Sequence, residues 1–266
     1  MKTRMIDGRA IAARIRAQVA TEIKTLGFRL GLGVVLIGDD PASHLYVALK
    51  EKACLEAGIF FERLDFSSEV DQAAALSAVA SLNANPDIDG ILVQLPLPPQ
   101  LDASALVGAI DPRKDADGFG PENLKRYLEG NGRMPGLVEA ISLLLDAADA
   151  PSKGTACVKA NSEIFSVPVE RMLEQRGLMP GEDCLHADAV ITAVGKPGSL
   201  TAADIRLGAT VIDVGTTRVD SHTKGDASPD LEGKAGALTP VPGGVGPMTV
   251  ALLLKRTLEL AKERRG

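Results

Sequence analysis

Leu32-Gly33-Val34-Val35-Leu36-Ile37, followed at once by Gly38-Asp39-Asp40-Pro41, decides the fold. An apolar run with no polar alternation reads as a strand buried on both faces, the habit of parallel sheets covered by helices. Asp40 then Pro41 supplies an N-cap and a first-turn proline, so a helix opens directly after the strand. That helix runs to about Glu56 and stops at Gly58, where a left-handed C-terminal cap costs least.

Upstream, Ile11, Ile15, Val19 and Ile23 recur every four residues along a basic N-terminus of Lys2, Arg4, Arg9, Arg14 and Arg16. A transit peptide shares the basicity, but the apolar spacing is that of a core-facing helix. Downstream, residues 59–66 read as a second strand, 71–84 as an alanine-rich helix and Ile91-Leu92-Val93 as a third strand. The alternation predicts an α/β lobe with a parallel sheet. Between Asp111 and Met134, Pro112, Gly118, Gly120, Pro121, Gly130 and Gly132 crowd among charges, which places an interlobe hinge there. Beyond it the pattern reads helix 137–147, strand 155–158, helix 167–176, and strands 189–194 and 209–214. A last helix, 249–264, carries Leu252, Leu253, Leu254, Leu258 and Leu260 and is expected to pack back on the first lobe. The domains are thus 1–130, with 249–266 returning to it, and 131–248.

The 266 residues are 45% hydrophobic and 24% charged, which excludes disordered, collagenous and disulfide-scaffold chains. A net charge of −6 and 3% aromatic residues without Trp argue against a nucleic-acid reader. No apolar run approaches the length of a membrane-spanning helix. Cys54, Cys157 and Cys184 stand in no CxxC spacing, and His44, His186 and His222 lie far apart. We therefore expect a reducing compartment and no metal site.

Ligands of open α/β sheets sit outside the carboxyl ends of the strands. After the first strand stand Tyr46 and Lys50, four apart on one helical face. A phenol beside an amine can orient a planar substrate and move a proton if burial lowers the lysine pKa, though the same spacing fits a solvated surface pair. Gln94 follows the third strand, before Leu95-Pro96-Leu97-Pro98; it is either a satisfied amide at a strand end or a functional one. Asp117, in Lys114-Asp115-Ala116-Asp117-Gly118, either stabilises a turn or accepts hydrogen bonds from an amino-pyrimidine edge. The loop Thr239-Pro240-Val241-Pro242-Gly243-Gly244-Val245-Gly246-Pro247 cannot be a strand or helix interior and reads as a ligand clamp opening a helix.

These blocks, with Gly195-Lys196-Pro197-Gly198 and Val211-Ile212-Asp213-Val214-Gly215, resemble in order and over almost the whole chain the FolD-type methylenetetrahydrofolate dehydrogenase/methenyltetrahydrofolate cyclohydrolases. The resemblance implies a two-lobed α/β fold, an N-terminal parallel-sheet lobe and a Rossmann-like lobe with a folate cleft between them. It implies Lys50 as the central acid/base, Gln94 tuning it, Tyr46 stacking on the folate and Asp117 holding the pterin. Val93, Leu95, Pro242, Gly243 and Gly246 would line the folate site, and Ala160, Asn161, Ser162, Gly195 and Thr216 the nucleotide site. The implied partners are tetrahydrofolate as substrate carrier, NADP or NAD as cofactor, and a second copy in a cytoplasmic homodimer, with no nucleic acid or membrane.

The sequence departs from the family on the nucleotide side. Where the family reads Gly-Arg-Ser-x-x-Val-Gly-x-Pro, this chain has Ala160-Asn161-Ser162-Glu163-Ile164-Phe165-Ser166-Val167-Pro168, without either glycine or the arginine that pairs with a 2′-phosphate. The 18 residues from Val169 to His186 are too few for helix, strand and following helix, so one βαβ step is expected to be truncated and its strand missing, together with the family's His-Ser-x-Thr segment. The family's Pro-Cys-Thr-Pro reads Pro135-Gly136-Leu137-Val138 here. Cyclohydrolase activity is accordingly expected, with dehydrogenase activity weakened or shifted towards NAD. The alternatives are a cyclohydrolase alone or a non-catalytic folate-binding module. A Tyr-x-x-x-Lys pair also marks short-chain dehydrogenases, but their glycine-rich nucleotide turn precedes the pair, and Ile37-Gly38-Asp39-Asp40 is no such turn.

Overall fold

The computed structural model describes residues 2–220 and 222–265. In chain order the elements are β1 (Arg4–Met5), α1 (Gly8–Ile23), β2 (Gly31–Ile37), α2 (Pro41–Ala57), β3 (Phe60–Phe66), α3 (Gln72–Ala84) and β4 (Gly90–Val93). Then follow α4 (Ala103–Gly108), α5 (Pro121–Leu128), α6 (Gly136–Ala147), β5 (Gly154–Ala160), α7 (Glu163–Gln175), β6 (Leu178–Gly181) and β7 (Ala189–Ala193). The chain closes with β8 (Thr210–Asp213), β9 (Thr217–Val219), β10 (His222–Lys224), β11 (Ala237–Leu238) and α8 (Val245–Arg265).

Contacts divide the chain into two compact units. One holds residues from Ala13 to Gly136 and from Val250 onward; the other holds those up to Ala12 with Leu137–Thr249. In the first, β2 is flanked by β3 and β4, all parallel, and every residue of β2 is buried, as its unbroken apolar run requires. Asp40 caps α2 by accepting from Ser43 N at 2.8 Å, with Pro41 in the first turn. Gly58 ends the helix at φ 83, the left-handed cap expected of it. Val250, Leu253, Leu254 and Leu258 of α8 join Val19, Leu30, Leu32 and Val34 in one apolar cluster. The helix lies so close to β4 that a Cβ on Gly90 would meet Thr257 Oγ1 at 2.8 Å.

In the other unit the sheet order is β1-β11-β8-β7-β5-β6, parallel at every recorded pairing. The first residues therefore group with this unit and not with the lobe to which the sequence assigned them, because β1 pairs with β11, 233 positions along the chain at Arg4 and Ala237. The segment read as a hinge, 111–134, instead lies inside the first unit and contains α5; its prolines and glycines serve the turns around that helix, with Pro121 in its first turn.

The truncation falls on a different element than expected. The strand is present as β6, paired in parallel with β5 on the sheet edge, where Pro180 is tolerated. Among the described residues no helix lies between β6 and β7. Helix α7 starts at Glu163, four residues before the expected start. In place of the absent helix, residues 182–188 cross directly, with Cys184 disulfide-bonded to Cys157 at a Cα separation of 5.0 Å. This corrects the expectation of reduced thiols for two of the three cysteines, since a separation of 27 in sequence carries no pairing signal; Cys54 is free and buried.

Candidate active site

Two buried scaffolds position the candidate residues of the first unit. The end of β4 delivers Gln94, whose backbone N–H continues the ladder to Val35 O at 2.9 Å. Beside β4 the chain returns, with Ile91 N donating to Lys114 O at 2.6 Å and Ala116 N to Ile91 O at 3.2 Å, and Asp117 follows. Lys114 and Asp115 are buried, and sequence reasoning assigned them no role. Lys114 Nζ donates to Asn83 O at 2.7 Å, Asn85 O at 2.8 Å and Leu82 O at 3.2 Å, a cation on the last carbonyls of α3. Asp115 accepts from Gly118 N, Gly120 N and Asn123 Nδ2 at 2.9, 2.8 and 3.0 Å. The two alternate charges around Asp117 thus build its turn, while Asp117 itself faces solvent.

Lys50, on α2, donates from Nζ to Gln94 Oε1 at 2.7 Å. Gln94 is 8% exposed, and its Nε2 donates to Leu95 O at 2.6 Å, so the amide orientation is set and its oxygen is held towards the lysine. Burial lowers the Lys50 pKa from the ordinary lysine value, with the Asp117 charge and the Cys54 thiol pulling less strongly the other way. Burial raises the Asp117 pKa, against the pull of the Lys50 charge; Asp115 adds to the rise and Arg256 opposes it. Although solvent reaches Asp117, enough protein crowds around it to disfavour its charge. Both ends of the pair are pushed towards their neutral forms, Lys50 chiefly by burial and Asp117 likewise, which makes a proton easier to pass than between an ordinary lysine and carboxylate. Tyr46 lies one helical turn before Lys50 and is half-buried. Val93 is buried at the end of β4, and Leu95 is exposed.

Pro242, Gly243 and Gly246 belong to the other unit. The Val241–Pro242 bond is cis, and Gly243 takes φ 122, which explains the need for glycine there. Gly243 O accepts from Arg9 N at 3.1 Å, and Gly244 N donates to Pro240 O at 2.7 Å. The loop opens α8, as its composition suggested.

Ala160, Asn161, Ser162, Gly195 and Thr216 all lie at or just beyond the carboxyl ends of β5, β7 and β8, the ligand edge of a parallel sheet. Ser162 is the N-cap of α7, and its side chain makes no capping bond, which leaves a helix N-terminus open to an anion. Gly195 and Gly198 both take φ 73, and a Cβ on either would meet nothing within 4 Å. Backbone room and helix polarity therefore fit a dinucleotide. The side chains fit it less well: Asn161 Nδ2 is tied to Val194 O at 2.9 Å, and Glu163 puts a negative charge in the first turn of α7.

Both parts of the chain resemble known proteins. A model of the tetrahydrofolate dehydrogenase/cyclohydrolase catalytic domain matches residues 6–117, and one of the NAD(P)-binding domain of the same family matches residues 135–265. A bifunctional protein FolD from Desulfovibrio desulfuricans is 43% identical over 98% of this chain and 99% of its own length. The crystal structure of the bifunctional FolD of Campylobacter jejuni superposes with a TM-score of 0.92 at 33% identity, covering 98% of this chain and 99% of that one. The Trypanosoma brucei enzyme, solved with NADP and an inhibitor, gives 0.91 at 31% identity over the whole of both chains.

Proposed function

The chain belongs to the tetrahydrofolate dehydrogenase/cyclohydrolase family, and on that premise we propose how its residues divide the work of the family's two reactions. It is an enzyme of one-carbon folate metabolism: an oxidoreductase acting on methylenetetrahydrofolate with NAD(P), and a hydrolase acting on methenyltetrahydrofolate. The observation that carries the assignment of roles is the 2.7 Å hydrogen bond from Lys50 to Gln94, with the Asp117 charge acting on the same lysine.

In the hydrolytic reaction water adds to the electron-poor methenyl carbon. The amine of Lys50 takes the proton that the attacking water loses, and the resulting ammonium returns a proton to the departing ring nitrogen. As that C–N bond breaks, the hydroxyl proton leaves to solvent and the carbonyl of the formyl product forms. Burial lowers the Lys50 pKa and so raises the share of neutral amine that can take the first proton; a lysine at its ordinary value stays charged and does neither step. Gln94 accepts an N–H of Lys50 in either protonation state, which keeps the nitrogen in place while its charge changes. Tyr46 stacks on the planar substrate, and Asp117 accepts hydrogen bonds from the amino-pyrimidine edge. Val93 and Leu95 line the folate at the end of β4.

In the oxidative reaction a nicotinamide, when bound, would supply the acceptor for the hydride of the methylene carbon. The chain's part is to hold the nucleotide, through Ala160, Asn161, Ser162, Gly195 and Thr216. We infer a site altered towards NAD. Asn161 stands where the family's arginine pairs with the 2′-phosphate. In addition, β6 ends on Gly181-Glu182-Asp183, acids at the strand end where dinucleotide folds place a carboxylate for the ribose hydroxyls. Asn161→Arg is expected to tighten NADP binding by about tenfold or more with little effect on NAD, since a charge-assisted contact contributes about 1.5–3 kcal/mol. Equilibrium titration of both nucleotides checks this; equal affinities in the two proteins would contradict it. We also place the enzyme in the cytoplasm as a homodimer. Light scattering on the eluting protein should then give twice the 27.8 kDa chain mass.

A further inference from the structure

Two buried carboxylates under the sheet edge take no part in the chemistry described above. Asp213, the last residue of β8, is 2% exposed, and Asp226, just after the β9–β10 hairpin, is 0% exposed. Asp226 accepts from Val194 N at 2.6 Å and Thr192 Oγ1 at 3.0 Å on one oxygen, and from Lys196 N at 2.8 Å on the other. Asp213 accepts from Gly215 N at 2.9 Å and Asp226 N at 3.1 Å on one oxygen, and from Ala227 N at 2.8 Å on the other. The turn after β7 and the turn after β8 are thereby lashed to one returning segment. The lashing is tight, since a Cβ on Gly215 would lie 2.4 Å from Asp226 Cγ and one on Gly225 would lie 2.0 Å from Asp213 Oδ2.

Two like charges buried side by side are a costly way to brace a fold. Burial pushes the Asp213 pKa up to about 6, and the Asp226 charge adds to the rise. A well-packed apolar pair would brace at least as well. What the carboxylates supply instead is directional: six donors fixed from two centres, among them the N–H groups of Val194 and Lys196 on either side of Gly195 and that of Gly215 just before the exposed Thr216. We propose that Asp213 and Asp226 are positioning residues of the nucleotide site, holding the turns after β7 and β8 in the one arrangement that accepts the dinucleotide. This rests on the reading of that edge as the nucleotide site.

The test compares Asp213→Asn and Asp226→Asn with the unaltered enzyme. Each amide keeps the shape of the carboxylate but turns an N–H towards a backbone donor. Dissociation constants for NADH are measured by nicotinamide fluorescence, alongside nucleotide-free hydrolysis of methenyltetrahydrofolate. The expected result is an affinity for NADH lowered about tenfold or more by either change, with hydrolysis within about twofold of the unaltered enzyme. Unchanged NADH affinity together with a lower unfolding temperature would overturn the proposal and leave the pair a brace only. Should both variants fail to fold, Thr192→Val, which removes a single neutral donor to Asp226, decides: an affinity lowered about threefold supports the proposal, and an unchanged one overturns it. If the unaltered enzyme binds neither NADH nor NADPH while hydrolysing methenyltetrahydrofolate, the nucleotide reading itself falls and the proposal falls with it.

Discussion

Lys50→Met abolishes cyclohydrolase turnover, by at least about a hundredfold, while folate binding survives within a few-fold. Methionine matches the length of the lysine stem, so α2 keeps its packing and only the nitrogen is lost. Neither Gln94 nor Cys54 can take over the proton: the amide does not titrate, and Cys54, pushed up to about 12 by burial, stays a thiol. Hydrolysis by the unaltered enzyme should rise with pH as Lys50 loses its proton. Because burial lowers its pKa from the ordinary lysine value, the plateau begins below the pH at which a free lysine would reach it. The limb belongs to the coupled Lys50–Asp117 pair, and it should vanish from the residual rate of the variant. Stopped-flow absorbance of methenyltetrahydrofolate across the pH range measures both effects. Equal hydrolysis in the two proteins would remove Lys50 from the mechanism.

The largest expected effect on stability comes from Asp89→Ala. Asp89 is 0% exposed, yet it accepts from Gly31 N at 3.0 Å, from Arg265 Nε at 2.8 Å and from Arg264 Nη2. It therefore ties the end of α8 to the start of β2. Removing it leaves two partly buried guanidinium groups and a buried N–H without their anion, a loss of about 3 kcal/mol. For a chain of this size that lowers the melting temperature by roughly 6–12 °C. Differential scanning calorimetry reads the shift directly; a change under about 2 °C would mean that α8 is held by its leucines alone.

Legibility in the sequence followed the range of the interaction. The unbroken run of β2 and the Asp40-Pro41 start of α2 are local signals, and the parallel sheet and its helices stand where those signals put them. β1 has two residues and depends on a partner at the far end of the chain, so no periodicity marks it. β6 was missed because Leu178-Met179-Pro180-Gly181 carries two strand-breaking residues, which only a sheet edge tolerates. Within the site, Tyr46 and Lys50 declare themselves by helical spacing, but the contact of Lys50 with Gln94 spans 44 positions and is a product of the sheet. The resemblance to a family supplied that pairing. Lys114 and Asp115 were passed over because charged residues in a loop look solvated; only the close return of the chain beside β4 buries them.

On the proposed reading the folate side keeps its acid/base machinery and the nucleotide side is altered at Asn161, Glu163 and Glu182. The most direct test follows the oxidation of methylenetetrahydrofolate over separate titrations of NAD and NADP, with nucleotide-free hydrolysis of methenyltetrahydrofolate as the internal control. The account predicts hydrolysis in full, and oxidation that saturates at lower NAD than NADP. A strong preference for NADP in the same protein would contradict it.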